Sequence, residues 1–251
     1  MDWALIGEII GFLLAFGVGM GCGSYATMPY YRLPNGEACA GKWVGKKSHC
    51  TKCGIQLRTR DLIPILNWIG TRGKCYGCGI KINPVYFFIE SSVTLLSVLA
   101  YLAFSFEQYY ILILILATAL VIASATDFSY RVVPDQVLVV IVMTGFLWRS
   151  LHDGQIYDMV QTFVLMVLLG LMFSALYEKK TGSPLASYRY IKIMVAAGIW
   201  LNYIGVAYYL GGVILLIPIC YALTRKQDAE QRAWLAPAFL IPLYVAALFT
   251  G

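Results

Sequence analysis

Two pairs of cysteines, Cys50–Cys53 and Cys75–Cys78, each with two residues between them, are the best-spaced chemistry in the chain. A glycine follows each pair (Gly54, Gly79), so each segment can turn tightly and aim two sulfurs at one ion. Four thiolates close a tetrahedral site and leave no position for a substrate, which is the chemistry of a structural zinc. Two disulfides and an iron–sulfur cluster are the alternatives, and a reducing compartment disfavours the first. His49 is read as a loop residue beside the cage, Cys22 and Cys220 as small core hydrophobes, and Cys39 as an unpaired loop thiol.

Carboxylates form the second set. Asp127 and Asp135 bracket the stretch Asp127-Phe-Ser-Tyr-Arg-Val-Val-Pro-Asp135, between two apolar runs. Acids at or near membrane depth are costly and default to functional suspects. Asp135, after Pro134, also suits a helix N-terminus, where the dipole favours negative charge. Glu90 lies inside an apolar run and is expected to pair with a loop Lys or Arg or to contact a ligand.

The elements that must position these groups are transmembrane helices. The chain of 251 residues is 60% hydrophobic and only 13% charged, against about 25% charged for a soluble domain. Eight apolar runs are candidate spans: 3–22, 85–104, 108–126, 133–150, 157–177, 191–205, 207–223 and 234–250. The fold class expected is therefore an all-α polytopic membrane protein of about eight helices with a small cytoplasmic zinc-ribbon-like loop. Its parts are a first helix (1–22), the four-cysteine loop (23–84) and a seven-helix membrane domain (85–251). No internal repeat is evident. With the cysteine loop in the cytoplasm and sides alternating thereafter, all but Arg149 of the 19 Lys and Arg fall inside, and both termini fall outside. Positive-inside anchoring against anionic lipid accounts for the net charge of +6 without a nucleic-acid partner.

These motifs, in this order, resemble the type IV prepilin leader peptidases, integral-membrane aspartic proteases that also N-methylate their products. The matching stretches are Gly23-Ser24 with Tyr31-Arg32-Leu33-Pro34, then Ser48 to Gly54, Asp61 to Trp68, Arg72 to Gly79, and Pro84 to Glu90. Asp127 with Val133-Pro134-Asp135 is similar to the first catalytic-aspartate motif, and Lys192 to Leu201 to the stretch after the second. The resemblance implies a pilin-like precursor with a basic leader and a hydrophobic helix, bound and cut at the cytoplasmic face of a bacterial inner membrane. It also implies methylation of the new N-terminus by S-adenosylmethionine, in type IV pilus or type II secretion assembly. Glu37 and Asp61 are the loop acids suited to a basic leader.

At the second catalytic motif the resemblance breaks. Where the family has Gly-x-Gly-Asp, this chain reads Ser187-Tyr188-Arg189-Tyr190, with Thr181-Gly182 before it and the motif neighbour Lys192 two residues after it fixing the register without a gap. Tyr190 stands at the position of the missing Asp, and Arg189 would hold any neighbouring carboxylate ionised. A phenol, with a reference pKa near 10, does not replace a carboxylate as base at neutral pH. Asp135 and Glu178 are the candidate substitutes for a partner acid; Asp153 and Asp158 fall on the outer side. The readings are thus a working peptidase, a proteolytically inactive methyltransferase or pilin-binding accessory, and, from another class, an ion-coupled transporter using Glu90 and Asp127.

Overall fold

The computed structural model describes residues 3–37, 39, 49–50, 52–58, 61, 63–152, 156–181, 184–224 and 235–249. Among them it is all-helical. The helices are α1 (Trp3–Arg32), α2 (Leu66–Gly70), α3 (Val85–Phe104), α4 (Gln108–Tyr130), α5 (Asp135–His152), α6 (Ile156–Thr181), α7 (Pro184–Trp200), α8 (Tyr203–Thr224) and α9 (Ala236–Phe249). Each of the eight apolar runs is a helix, and α2 is a short addition inside the loop. Five of them, α1, α3, α4, α6 and α8, are long and apolar enough to cross a membrane, and α9 is a shorter apolar helix. The 18-residue α5 and 17-residue α7 carry Asp135, Arg149, Arg189 and Lys192, which lowers their mean hydropathy. The break between α7 and α8 falls at Leu201–Asn202 rather than at Tyr203-Ile204-Gly205. Asn202 starts α8 as a cap there, its side-chain oxygen accepting the Gly205 N–H at 2.7 Å.

Two compact units divide the chain, Met1–Tyr110 and Ile111–Gly251. In the first, α1 and α3 pack antiparallel through small residues. A Cβ on Gly19 would sit 2.8 Å from Thr94 Cα, and one on Gly23 2.9 Å from Glu90 Cα, so only glycine lets the backbones approach so closely. Ser97 Oγ donates to Ala15 O at 2.8 Å and shares a 2.9 Å hydrogen bond with Tyr110 Oη, so the polar atoms of this seam are paired. The seam sets the register. Tyr30 meets Tyr86 edge to face, with centroids 5.6 Å apart, at the other end of the pair from Tyr101 and Gly11. The apolar run expected at 3–22 therefore continues as helix to Arg32. Thr27 turns its hydroxyl back on Ser24 O at 2.7 Å, which satisfies a polar group inside the extension.

In the second unit α7 is central, packing on α5, α6 and α9, while α8 packs on α9. Trp200, buried at the end of α7, donates its indole N–H to Ile141 O at 2.7 Å and lies 5.5 Å from Trp148. Gly145 makes room for it: a Cβ there would be 2.5 Å from Trp200 Cδ1. The α5–α7 contact is thereby keyed to one indole.

Candidate metal centre and aspartyl site

The four cysteines converge. The sulfurs of Cys50, Cys53, Cys75 and Cys78 all lie within 4.8 Å of one another. Cys50 and Cys78 sulfurs are 4.0 Å apart. Zinc–sulfur bonds of about 2.3 Å in a tetrahedron put sulfurs about 3.8 Å apart, so the donor set fits zinc. All seven cysteines are free thiols. Cys75 is buried while Cys53 and Cys78 are exposed, and His49 stands outside the cluster in a backbone bridge to Gln56.

The cage is built by two copies of one turn. Cys50 N–H donates to Ile55 O and Gly54 N–H to Cys50 O, both at 2.9 Å. Cys75 N–H donates to Ile80 O and Gly79 N–H to Cys75 O, again both at 2.9 Å. The flanking bridges, His49 to Gln56 and Lys74 to Lys81, correspond as well. Gly54 and Gly79 have φ of 71° and 68°, the left-handed region that closes each knuckle. The loop is thus an internal repeat, against the expectation of none. In sequence the two copies share Cys-x-x-Cys-Gly-Ile, while the matching hydrogen bonds show the repeat in the backbone.

Electrostatics concentrate charge at Cys50. The backbone N–H groups of Cys53 and Lys52 hold its thiol down at about 6. Cys53 is pushed up to about 11; the Ile55 N–H works against that shift, and burial and the neighbouring sulfurs produce it. Arg58 ties the knuckles together. Its Nε donates to Asp61 Oδ2 at 2.7 Å and Nη2 to Oδ1 at 3.0 Å, while the guanidinium lies 3.6 Å over the Tyr76 ring of the second knuckle. Asp61 is therefore a structural partner of Arg58 within the lobe. Glu90 Oε2 accepts the backbone N–H of Ile65 at 2.7 Å.

Asp127 is fully buried at the end of α4, and its Oδ1 accepts from Arg189 Nη1 at 2.5 Å. Its Oδ2 is buried without a hydrogen-bond partner among the described residues. Arg131, with φ 57°, ends α4 in the left-handed turn typical of helix C-termini and donates to Asp127 O. Pro134 then opens α5. Asp135, in its first turn, points outward with a side chain 76% exposed and pairs with Lys192 Nζ at 2.5 Å. So α7 sends Arg189 to one aspartate and Lys192, one turn on, to the other. The two carboxylates sit in different surroundings, each with its own cation.

Tyr190 is buried, stacked on Phe239 at 5.3 Å, and its Oη accepts the Leu235 N–H at 3.1 Å. Phe173 and Tyr177 complete an aromatic cluster around it. Glu178 is exposed at the end of α6, and Asp158 lies in the first turn of α6. Asp153 lies outside the described residues. Cys22 is half-buried on α1, Cys39 half-buried in the loop, and Cys220 buried on α8.

Residues 18–104 match the family described as Bacterial Peptidase A24 N-terminal domain. The match supports the prepilin peptidase family. It takes in both knuckles, α2, α3 and the second half of α1, the region that builds the metal centre. Peptidase activity in general is what an A24 domain suggests, and the apolar helices mark a membrane protein. No curated protein and no solved structure matches the chain.

Proposed function

We propose that the chain is a prepilin peptidase-family protein that binds pilin-type precursors at the cytoplasmic face of the inner membrane without two-aspartate cleavage. One observation carries the reading: Asp127, the aspartate that matches the family's first catalytic motif, is ion-paired with Arg189 at 2.5 Å. Aspartic proteolysis needs two carboxylates sharing a proton, one to activate water and one to protonate the scissile carbonyl. Arg189 cannot give up its proton, and the Tyr190 hydroxyl is turned to a backbone amide. Losing one acid–base partner removes about 10²–10⁴-fold in rate.

The four cysteines would hold zinc as a closed structural centre that keeps both knuckles in register. The asymmetry of Lys and Arg supports a cytoplasmic lobe with both termini outside. N-methylation acts on an amine that cleavage exposes. A chain that binds without cutting would methylate only an N-terminus delivered by another peptidase, and no residue is assigned to S-adenosylmethionine.

The A24 similarity favours a second reading, in which cleavage persists with Asp135 or Glu178 serving Asp127. One assay separates the two. Purified protein in detergent, mixed with a tagged pilin-type precursor, is expected to co-purify with it and leave it uncut. Efficient cleavage, lost on Asp127→Ala, overturns the first reading. Loss on Asp135→Ala or Glu178→Ala as well then names the partner acid.

A further inference from the structure

Ile63, Leu66 and Ile69 are 44%, 62% and 56% exposed within a lobe otherwise rich in basic residues. Spaced three apart, Leu66 and Ile69 share one side of α2. The opposite side is tied to α3: Trp68 packs on Phe87 with centroids 4.9 Å apart, and the Ile65 N–H reaches Glu90 Oε2.

That tie fixes a depth. With 20 residues, α3 is about 30 Å long, the thickness of the hydrocarbon layer. Glu90, five residues after Val85, lies about 7 Å along it. Phe88, Leu95, Leu99 and Leu102 form one exposed apolar stripe along α3, which is long and apolar enough to cross a membrane. Ile65, with φ 62°, is not helical, and a non-helical amide at this level needs an acceptor from the protein. Glu90 is that acceptor. Arg72 and Lys74, both exposed in the same lobe, suit anionic headgroups.

We propose that the turn at Ile63 and helix α2 form an interfacial anchor. Ile63, Leu66 and Ile69 enter the headgroup–acyl boundary of a phospholipid bilayer, and Glu90 holds them there by accepting the Ile65 N–H. The partner is lipid because the patch is tied to α3, a helix long and apolar enough to cross a membrane, and lies in the same lobe as exposed basic residues. The anchor keeps the cysteine cage against the membrane rather than hanging free of it.

Photocrosslinking in the full-length chain tests this. p-Benzoylphenylalanine is placed at Leu66, at Ile69, at Leu102 as a lipid-facing reference and at Lys81 as an aqueous one. The protein is reconstituted in mixed phosphatidylcholine–phosphatidylglycerol vesicles, irradiated, and weighed for lipid adducts. Leu66 and Ile69 are expected to approach the adduct yield of Leu102 and exceed that of Lys81 severalfold. Equal yields at Leu66 and Lys81, or a protein adduct in place of lipid, overturn the proposal. If Leu102 also fails, the membrane placement of α3 falls and the anchor with it. Glu90→Leu is expected to lower the Leu66 yield to the Lys81 level with zinc content unchanged, whereas Glu90→Gln, which keeps an acceptor oxygen, preserves it. An unchanged Leu66 yield in Glu90→Leu removes Glu90 from the proposal.

Discussion

Replacing Arg189 by alanine exposes what the buried pair contributes. Asp127 has a side-chain exposure of 0% and Arg189 of 15%, with 2.5 Å between their charged atoms. At an effective dielectric near 20 the gross attraction is about 6–7 kcal/mol, and desolvation of the two ions consumes several kcal/mol each. The intact pair is thus worth little net. Its rupture is another matter, because the carboxylate stays buried after its partner has gone, a loss of about 3–5 kcal/mol. That is a fall of about a hundredfold or more in the folding equilibrium. Replacing both residues, Asp127→Leu with Arg189→Met, should return stability to within about 1 kcal/mol of the parent. The assay is a double-mutant cycle on detergent-solubilised protein, unfolded with SDS and followed by tryptophan emission. A coupling energy under about 1 kcal/mol, with single losses that simply add, would refute the ion pair as described.

Metal analysis of purified protein should find one zinc per chain, lost on either Cys50→Ser or Cys75→Ser, because each knuckle supplies only half of the cage. Retention of zinc in both variants would remove the four-sulfur centre. Gly145→Ala should destabilise by about 1–3 kcal/mol in the same unfolding assay, since its Cβ would meet Trp200 Cδ1 at 2.5 Å and dislodge the indole from Ile141 O. A stability equal to the parent's would show that α5 and α7 are not keyed there.

The helices were legible because lipid demands long apolar runs, and each of the eight runs is a helix. The cage was legible because cysteine spacing encodes it. Helix ends were less so. The continuation of α1 to Arg32 rests on Ser24 and Thr27 satisfying themselves inside the helix, which polarity alone reads as a loop. Knuckle duplication shows in backbone hydrogen bonds, and those constrain few side chains beyond the shared Cys-x-x-Cys-Gly-Ile. At the aspartyl site the sequence singled out Asp127, and the resemblance expects an acid where Tyr190 stands. The sequence could not say which carboxylate Arg189 meets, since that depends on α4 lying beside α7. Glu90 marks the same limit: its partner is a main-chain amide, invisible to any argument built on pairing side-chain charges.

The edge-to-face contact of Tyr30 with Tyr86 places the departure and return of the chain side by side. The described loop residues therefore leave α1 and rejoin α3 at neighbouring points, with Trp68 and Ile65 tied further along α3. Their removal and replacement by a short linker leaves the α1–α3 hairpin with every contact of its glycine seam. A lobe mounted in this way leaves and returns on one side of the helix pair, so a change within it need not disturb the seam.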